Sequence, residues 1–299
     1  MTRLSRPASP QPTLRIVPGE PLIVFQDVRI GFEEEEILRG ISFEVVQGET
    51  KVLLGESGSG KTLIMKMAAG LLRPDSGRIW VMGHDLNEMP EEELLDFRRH
   101  LGFVFQEGAL FDSLSVADNV AFRLREEDLP DDEIEARVRE VLRFVELEDA
   151  IEKYPAELSG GMRRRVSIAR ALIDRPPIVF YDSPTAGLDP VTSQTIINLI
   201  LRGRDLQGVT SLLATHRVQD ALGVATYRLD PKAGRVVRQL SNGNNSASDH
   251  PAGLASPAHP ATPTKVLVLR EAQVYFEGPA LQLLQSTDDY LQKFLASAE

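Results

Sequence analysis

A glycine-rich segment between a predicted strand and a predicted helix restricts the fold of this 299-residue chain more than any other feature. Residues 55–62 read GESGSGKT, at the junction of the apolar TKVLLG and of KTLIMKMAAGLL, whose apolar spacing is helical. Glycines here let successive backbone N–H groups turn inward on phosphate oxygens, and the helix N-terminus adds the positive end of its dipole. The sequence therefore predicts a phosphate-binding P-loop.

The P-loop pattern assigns a role to each of its residues. We expect the ammonium group of Lys61 at the β- and γ-phosphates of a nucleotide, and the hydroxyl group of Thr62 on Mg²⁺. The other predicted nucleotide-binding residues of the loop are Gly55, Glu56, Ser57, Gly58, Ser59 and Gly60.

Predicted strands and helices alternate along most of the chain, which indicates an α/β fold with a largely parallel sheet. Four consecutive glutamates at residues 33–36 are predicted to form the solvated loop of the first hairpin. Strands are predicted at residues 21–32, 37–49, 50–55, 77–86, 178–182 and 210–216 and in a hairpin at 265–278, and helices at 61–72, 91–100, 131–147, 161–173, 191–202, from 218 onward and at the C-terminal end.

Composition divides the chain into four segments. Residues 1–20 are rich in proline and are predicted to form a disordered tail, and residues 21–240 form the main domain. Residues 241–264 are almost wholly small, polar or proline, and they cannot repay the entropy of ordering, so we predict a flexible low-complexity insertion. Residues 265–299 are predicted to supply a hairpin and a helix that complete the domain.

Charge and hydropathy limit the class of function. The net charge of −11 argues against a general nucleic-acid coat, and we expect no nucleic-acid partner. No apolar run approaches the ~18–20 residues that span a bilayer, and the N-terminus lacks the apolar core of a signal peptide. The absence of cysteine excludes disulfides and thiolate metal sites. These features predict a cytoplasmic protein that another chain must hold at any membrane.

Two further motifs add metal and anion chemistry. Asp182 ends the apolar strand IVFYD, and an acid at the end of a buried strand beside a P-loop is placed to hold Mg²⁺ through its water shell. In LSGGM, Ser159, Gly160 and Gly161 offer a hydroxyl group and unhindered amides at the start of a helix, which is a second anion site. Since one nucleotide does not easily reach both sites of a compact domain, we expect a second copy facing head to tail. The arginines at 163–165 are interpreted as a solvated or partner-facing surface.

These motifs, in this order, resemble those of the ATP-binding cassette (ABC) ATPase family, from about residue 21 to residue 223 and again in the C-terminal hairpin. GESGSGKT is similar to the Walker A motif, LSGGM to the signature, IVFYD to Walker B and AGLD to the D-loop. The resemblance implies a P-loop NTPase fold, with a RecA-like core, an antiparallel β subdomain and a helical subdomain. It also implies ATP and Mg²⁺ as cofactors.

The resemblance further implies roles for single residues. Gln106 in FVFQEG matches the Q-loop residue that links Mg²⁺ to a transmembrane partner, and His216 in LLATH matches the switch histidine. Phe32 matches an aromatic residue that stacks on adenine, although a lone phenylalanine near a strand end is as often part of the core. The implied catalytic residues are Asp182, Ser183, Gln106 and His216, and the implied metal ligands are Thr62, Gln106 and Asp182.

Ser183 departs from the family pattern, in which a glutamate follows Walker B and deprotonates the attacking water. A neutral hydroxyl group cannot take a proton at pH 7, although it can hydrogen-bond a water. We therefore expect slow or impaired hydrolysis, with three outcomes open. His216, Gln106 and Ser183 together position the water and turnover is slow, or a different ATPase chain supplies a competent site, or the protein binds ATP as a switch without turnover.

A finer resemblance is to the ATPases of Mce/Mla-type bacterial lipid transporters. Met162 of the signature, the stretch FVFQEGALFDSLSVADNVAFRLRE and the tail EGPALQLLQSTDDYLQKFLASAE carry it. It implies phospholipid transport by two ATPase chains, a homodimer being favoured, under an integral membrane permease at the cytoplasmic face of the inner membrane, with a periplasmic Mce-type lipid-binding protein. The alternatives are a regulatory ATP-binding subunit without turnover and a soluble ABC ATPase that acts on nucleic acid or ribosomes.

Overall fold

The computed structural model describes residues 20–33, 35–127, 129–230, 235–238 and 264–296. Its strands, in chain order, are β1 (Pro21–Phe32), β2 (Glu35–Val46), β3 (Thr50–Leu54), β4 (Ser76–Val81), β5 (His84–Asp85), β6 (Leu101–Val104), β7 (Ile178–Asp182), β8 (Thr210–Thr215), β9 (Tyr227–Asp230), β10 (Arg235–Arg238), β11 (Lys265–Arg270) and β12 (Gln273–Pro279). Its α-helices are α1 (Lys61–Ala68), α2 (Glu91–Arg98), α3 (Val116–Ala121), α4 (Asp131–Phe144), α5 (Gly160–Leu172), α6 (Pro190–Gln207), α7 (Val218–Thr226), α8 (Ala280–Leu284) and α9 (Asp289–Ala296).

The central sheet has the order β12-β11-β3-β8-β7-β6, and all its strands from β11 to β6 run parallel. Every residue of β3, β7 and β8 is buried, because helices cover both faces of a parallel sheet. This burial explains the continuous apolar runs of the sequence. The carboxyl ends of parallel strands meet at one edge, so the loops after β3, β6, β7 and β8 lie together there.

A second, antiparallel sheet has the order β2-β1-β4-β5, and the Phe25 and Phe43 rings stack inside it at 4.6 Å. The predicted four-glutamate loop is wrong at its end, since β2 already begins at Glu35. The carboxylate of Glu36 pairs with Arg29 at 3.4 Å and with Arg39 at 2.9 Å. These ion pairs stabilise Glu36 in its position in strand β2.

Helices α3, α4 and α5 pack together beside the central sheet. Asn119 of α3 organises the chain before this helix, because its amide nitrogen donates to the carbonyls of Phe111, Leu114 and Ser115 and its Oδ1 accepts from the Phe111 N–H group. The sequence analysis did not predict α3, β6 or the β9–β10 hairpin.

The C-terminal hairpin joins the central sheet, with β11 paired to β3 from Lys265 beside Lys51 to Val268 beside Leu54. The predicted tail and insertion lie outside the described residues except for their last positions, Glu20 and Thr264. No helix in the described ranges combines the length and the apolar character needed to cross a bilayer.

Candidate functional site

Most of the predicted site residues, but not those of the signature, converge on the carboxyl edge of the central sheet. The P-loop follows β3, Gln106 follows β6, Ser183 follows β7 and His216 follows β8. A cleft of about 420 Å³ at this edge brings together predicted residues from five segments of the chain. Its lining comprises Phe32, Ile37, Ser57, Gly58, Gly60, Lys61, Thr62, Leu63, Gln106, Ser183 and His216.

The P-loop wraps around the ammonium group of its own lysine. Lys61 Nζ donates to the carbonyl oxygens of Gly55 at 2.9 Å and Glu56 at 2.7 Å, and to Ser59 Oγ at 3.2 Å. Gly60 precedes α1 with a φ of 90°, and a Cβ atom there would lie 2.4 Å from Leu38 Cδ2. Only glycine therefore allows this turn into the helix.

Burial lowers the pKa of the Lys61 ammonium, and the carboxylates of Asp182 and Glu56 offset part of that effect. The acceptors that hold the ammonium are two neutral carbonyls and a hydroxyl group. Phosphate oxygens would be stronger acceptors for a buried cation. The loop is thus arranged to gain from an anionic ligand.

Thr62 and Asp182 meet across 120 residues of sequence, with Thr62 Oγ1 donating to Asp182 Oδ2 at 2.9 Å. A hydroxyl group and a carboxylate are the hard oxygen donors that Mg²⁺ prefers. Open space lies at the loop, because a Cβ atom added to Gly58 meets no heavy atom within 4 Å. The donor set and this opening fit a magnesium–phosphate group.

Three more residues of the cleft have exposures that bear on their predicted roles. Phe32 is 50% exposed at the end of β1 and lines the cleft, so it is not a core residue. Gln106 and His216 are exposed residues in the loops after β6 and β8, and both line the cleft. Ile37 and Leu63 also line the cleft and had no predicted role; as ordinary apolar residues they carry no distinguishing signal.

Ser183 lies at the rim of the metal position. Its Oγ atom is 3.5 Å from Asp182 Oδ1, and its N–H group donates to the Ala214 carbonyl at 3.0 Å. Its φ of 46° is in the left-handed region, which aims the side chain out of the strand and into the cleft. The neutral hydroxyl group thus occupies the position from which a side chain could reach an attacking water.

The signature residues lie elsewhere. Ser159 is an exposed N-cap of α5 whose Oγ accepts from the Met162 N–H group at 3.2 Å, and Gly160 beside it is also exposed. Gly161 is buried, and a Cβ atom there would be 2.3 Å from Thr192 Cγ2. Within the described residues, none of these three lines the cleft. The two predicted anion sites of one chain are therefore separate.

The interpretation of the arginines at 163–165 as a solvated or partner-facing surface is wrong for Arg164. Arg163 is exposed, whereas Arg164 is 7% exposed and Arg165 is half-buried. The reason is the helical turn, which points Arg164 toward the Phe105 carbonyl at 2.7 Å and Arg165 toward the carbonyls of Val145 at 3.1 Å and Glu146 at 3.0 Å.

Sequence reasoning also missed a buried hydrogen-bond network between the loops after β7 and β8. Asp220 Oδ2 accepts from Thr215 Oγ1 at 3.0 Å and from Thr185 Oγ1. The Arg217 guanidinium donates to the Thr185 carbonyl at 3.3 Å and to Ser193 Oγ at 2.8 Å. This network holds the two loops together. An acid in the first turn of α7, five residues after a strand-end threonine, was the available signal.

Comparisons with known proteins agree with this architecture. A family model described as ABC transporter matches residues 38–186. The methionine import ATP-binding protein MetN of Brucella abortus (strain 2308) is 34% identical over 247 residues, which cover 81% of this chain and 67% of that protein. The chain spans from 61% to 67% of the length of the first MetN relatives it matches.

Solved structures match over nearly their whole length. The dimeric post-hydrolysis state of the ATP-binding cassette MJ0796 bound to ADP and Pi has a TM-score of 0.68 at 26% identity, covering 86% of this chain and 98% of that one. CbiO1 of Clostridium perfringens, described as part of the ABC transporter complex cbiONQ, has a TM-score of 0.71 at 25% identity, covering 89% and 91%. The expected fold, a P-loop NTPase with an antiparallel β sheet and added helices, is confirmed. The chain belongs to the ABC transporter ATP-binding family.

Proposed function

We propose that this chain is the ATP-binding and ATP-hydrolysing subunit of an ABC transporter, and that two chains enclose each magnesium nucleotide. The Thr62–Asp182 contact at 2.9 Å carries the proposal, since Thr62 lines the cleft together with Lys61 and joins the expected phosphate position to the expected metal position at Asp182. Ser159 and the start of α5 are exposed and lie outside the cleft, so the N–H groups there do not reach a nucleotide bound to the same chain. This separation supports a second chain that supplies the nucleotide.

The chain's own residues divide the work on the nucleotide. Lys61 and the P-loop amides bind the phosphates, Phe32 stacks on the base, and Thr62 and Asp182 hold the metal. Bound Mg²⁺ would neutralise charge on the β- and γ-phosphate oxygens. Gln106 and His216 face the same cleft from other loops and orient the attacking water.

Ser183 makes hydrolysis slow in this proposal. Its hydroxyl group orients a water by hydrogen bonding but does not accept the proton, and a positioned general base is worth about 10²–10⁴-fold in rate. Two other outcomes remain open. In one, a second ATPase chain of different sequence supplies the general base; in the other, the protein binds ATP as a switch and does not hydrolyse it. A regulatory ATP-binding subunit without turnover corresponds to this last outcome.

The expected partners follow from the family and from the assemblies that the solved relatives form. MJ0796 forms a dimer, and cbiO1 is part of a transporter complex. We propose a homodimer docked at the cytoplasmic face of the membrane on an integral permease that Gln106 adjoins. A ribosome- or nucleic-acid-directed ATPase is the competing assignment, and the net charge of −11 disfavours it.

Two cargo classes have support. The resemblance of residues 103–126 and 277–299 to Mce/Mla-type ATPases favours a phospholipid and a periplasmic lipid-binding partner, whereas relatives at 34–42% identity are named for methionine import. We propose the lipid class as the hypothesis to test first, and methionine is the alternative. Mass spectrometry of the purified transporter, for permease, lipid-binding partner and retained lipid, distinguishes them; a methionine-stimulated ATPase without bound lipid contradicts the lipid assignment.

Nucleotide binding is the first experiment. Titration with a fluorescent ATP analogue and Mg²⁺ should give saturable binding in the wild type and at least tenfold weaker binding in Lys61→Ala, which loses the cation at the phosphates. Lys66→Ala, a basic residue later on the same helix, is the matched control and should bind like the wild type. Equal affinity of Lys61→Ala and wild type contradicts the assignment.

A further inference from the structure

The turn that carries Gln106 is held against helix α5 by two arginines of that helix. Residues 105–108, here called the glutamine turn, close with the Gly108 N–H group donating to the Phe105 carbonyl at 2.9 Å. Arg164 donates to the same Phe105 carbonyl at 2.7 Å, and Arg170 donates to the Gly108 carbonyl at 3.1 Å. Both ends of the turn are therefore bound to one helix, with Gln106 between them.

The packing under the turn is close. Gly108 has a φ of 82°, and a Cβ atom there would lie 3.6 Å from the Arg163 carbonyl oxygen and 3.8 Å from Ser167 Cβ. Arg170 also places its guanidinium 5.8 Å from the centre of the Phe111 ring, just beyond the turn. The backbone of α5 and its arginines thus determine where the Gln106 side chain stands at the cleft.

Arg164 is costly as a purely structural residue. Its side chain is 7% exposed, burial lowers the pKa of the guanidinium, and its Nε atom has no hydrogen-bond partner among the described residues. A buried cation with an unpaired donor stabilises a fold less than a well-packed neutral residue. The carboxylates of Glu107 and Asp182 offset part of the effect of burial on the pKa of Arg164.

We propose that Arg164 and Arg170 are positioning residues that fix Gln106 to helix α5, and so tie the nucleotide cleft of one chain to the Ser159 cap that the same helix presents to a second copy. The catalytic consequence and the link to a second copy rest on the proposed function, whereas the anchoring of the glutamine turn does not. Helix α5 is continuous from Gly160 to Leu172, so a shift of the Ser159 cap on a partner's nucleotide would move Arg164 and Arg170, which hold the two carbonyls of the glutamine turn.

The test compares Arg164→Met with Arg165→Met. Each variant removes a half-buried or buried arginine of α5 that donates to backbone carbonyls, but Arg165 holds Val145 and Glu146, away from the cleft. Hydrogen exchange is measured on the nucleotide-free chain. We expect exchange in residues 103–111 to rise at least about tenfold in Arg164→Met, as for loss of one charge-assisted hydrogen bond, and to stay unchanged in Arg165→Met.

Kinetics supply the second readout. Arg164→Met should lower kcat at least about tenfold with KM for ATP and Mg²⁺-ATP affinity within about twofold, because the P-loop is untouched. It should also lower the Hill coefficient toward one, and Arg164→Lys should restore part of kcat because it can donate to the Phe105 carbonyl. Arg165→Met should show none of these changes at a matched melting temperature.

The outcomes are separable. Unchanged exchange in Arg164→Met overturns the arginine pair as the anchor of the glutamine turn. Faster exchange with wild-type kcat and Hill coefficient overturns its role in positioning Gln106 and in coupling the two sites. If the wild type itself binds no Mg²⁺-ATP, the proposed function fails, and the exchange measurement still decides whether the pair holds the turn.

Discussion

Replacing Ser183 by glutamate should convert a slow ATPase into a faster one. The backbone tolerates the change, because the left-handed φ of 46° costs glutamate about what it costs serine, neither being β-branched. The cleft of about 420 Å³ has room for the longer side chain. Ser183→Glu therefore adds a carboxylate at the metal position without rebuilding the loop.

The expected size of the effect follows from the neighbours. A general base contributes about 10²–10⁴-fold in rate. The new carboxylate would stand close to Asp182, whose Oδ1 is 3.5 Å from the present hydroxyl oxygen. Repulsion between two carboxylates at ~5 Å amounts to about 3 kcal/mol at an effective dielectric constant of ~20, and Mg²⁺ held by Asp182 would offset this repulsion, so the new carboxylate can enter the cleft beside the loaded metal position. We expect kcat to rise about a hundredfold or more.

The assay is steady-state phosphate release by the purified transporter with saturating ATP and Mg²⁺. Ser183→Gln is the matched control, because it has the same size and can hydrogen-bond a water but cannot take its proton at neutral pH. It should stay near the wild-type rate. If Ser183→Glu is no faster than wild type, or if Ser183→Gln is accelerated equally, the missing base is not what limits turnover.

Three other changes test the site and the fold. Asp182→Asn should raise the Mg²⁺ concentration needed for half-maximal ATP binding by about 10–100-fold, because that is the typical cost of losing an outer-shell metal partner. A Mg²⁺ titration after EDTA treatment measures this, and an unchanged Mg²⁺ requirement contradicts the metal assignment. Gly161→Ala should impair assembly of the two-chain site and leave ATP binding by the single chain intact, because the added Cβ would lie 2.3 Å from Thr192 Cγ2 and displace the cap of α5. If the variant assembles as well as the wild type, the position of this cap is not important for assembly. Asn119→Ala should lower the free energy of unfolding by about 3 kcal/mol in urea, since buried backbone groups lose their partners, and a loss below about 1 kcal/mol would contradict that reading.

Strong local patterns made much of the site predictable. The spacing of GESGSGKT placed Lys61 and Thr62, and the acid at the end of an apolar strand placed Asp182. The structure puts Thr62 and Asp182 2.9 Å apart, as the shared edge of parallel strands requires. The predicted strand at 178–182 and the β11–β12 hairpin are present as well.

Other features depend on contacts that no local pattern contains. The strand β6 is four residues long, and the six-residue helix α3 is held by Asn119 bonds to a preceding loop, so neither gives a periodic signal. Arg164 looked solvated because charge runs usually are, but its direction on α5 depends on where the Phe105 carbonyl lies, 59 residues earlier in the chain.

The most direct test of the central claim is the mass of the chain in solution with Mg²⁺-ATP, measured by sedimentation velocity. The wild type should be a dimer with Mg²⁺-ATP and a monomer without it, and slow turnover at Ser183 should keep the dimer loaded during the run. Ser159→Arg, which adds bulk at the exposed cap of α5 outside the cleft, should bind Mg²⁺-ATP and remain a monomer. A wild-type chain that binds Mg²⁺-ATP and stays a monomer, or a Ser159→Arg chain that dimerises like the wild type, would contradict a nucleotide held between two copies.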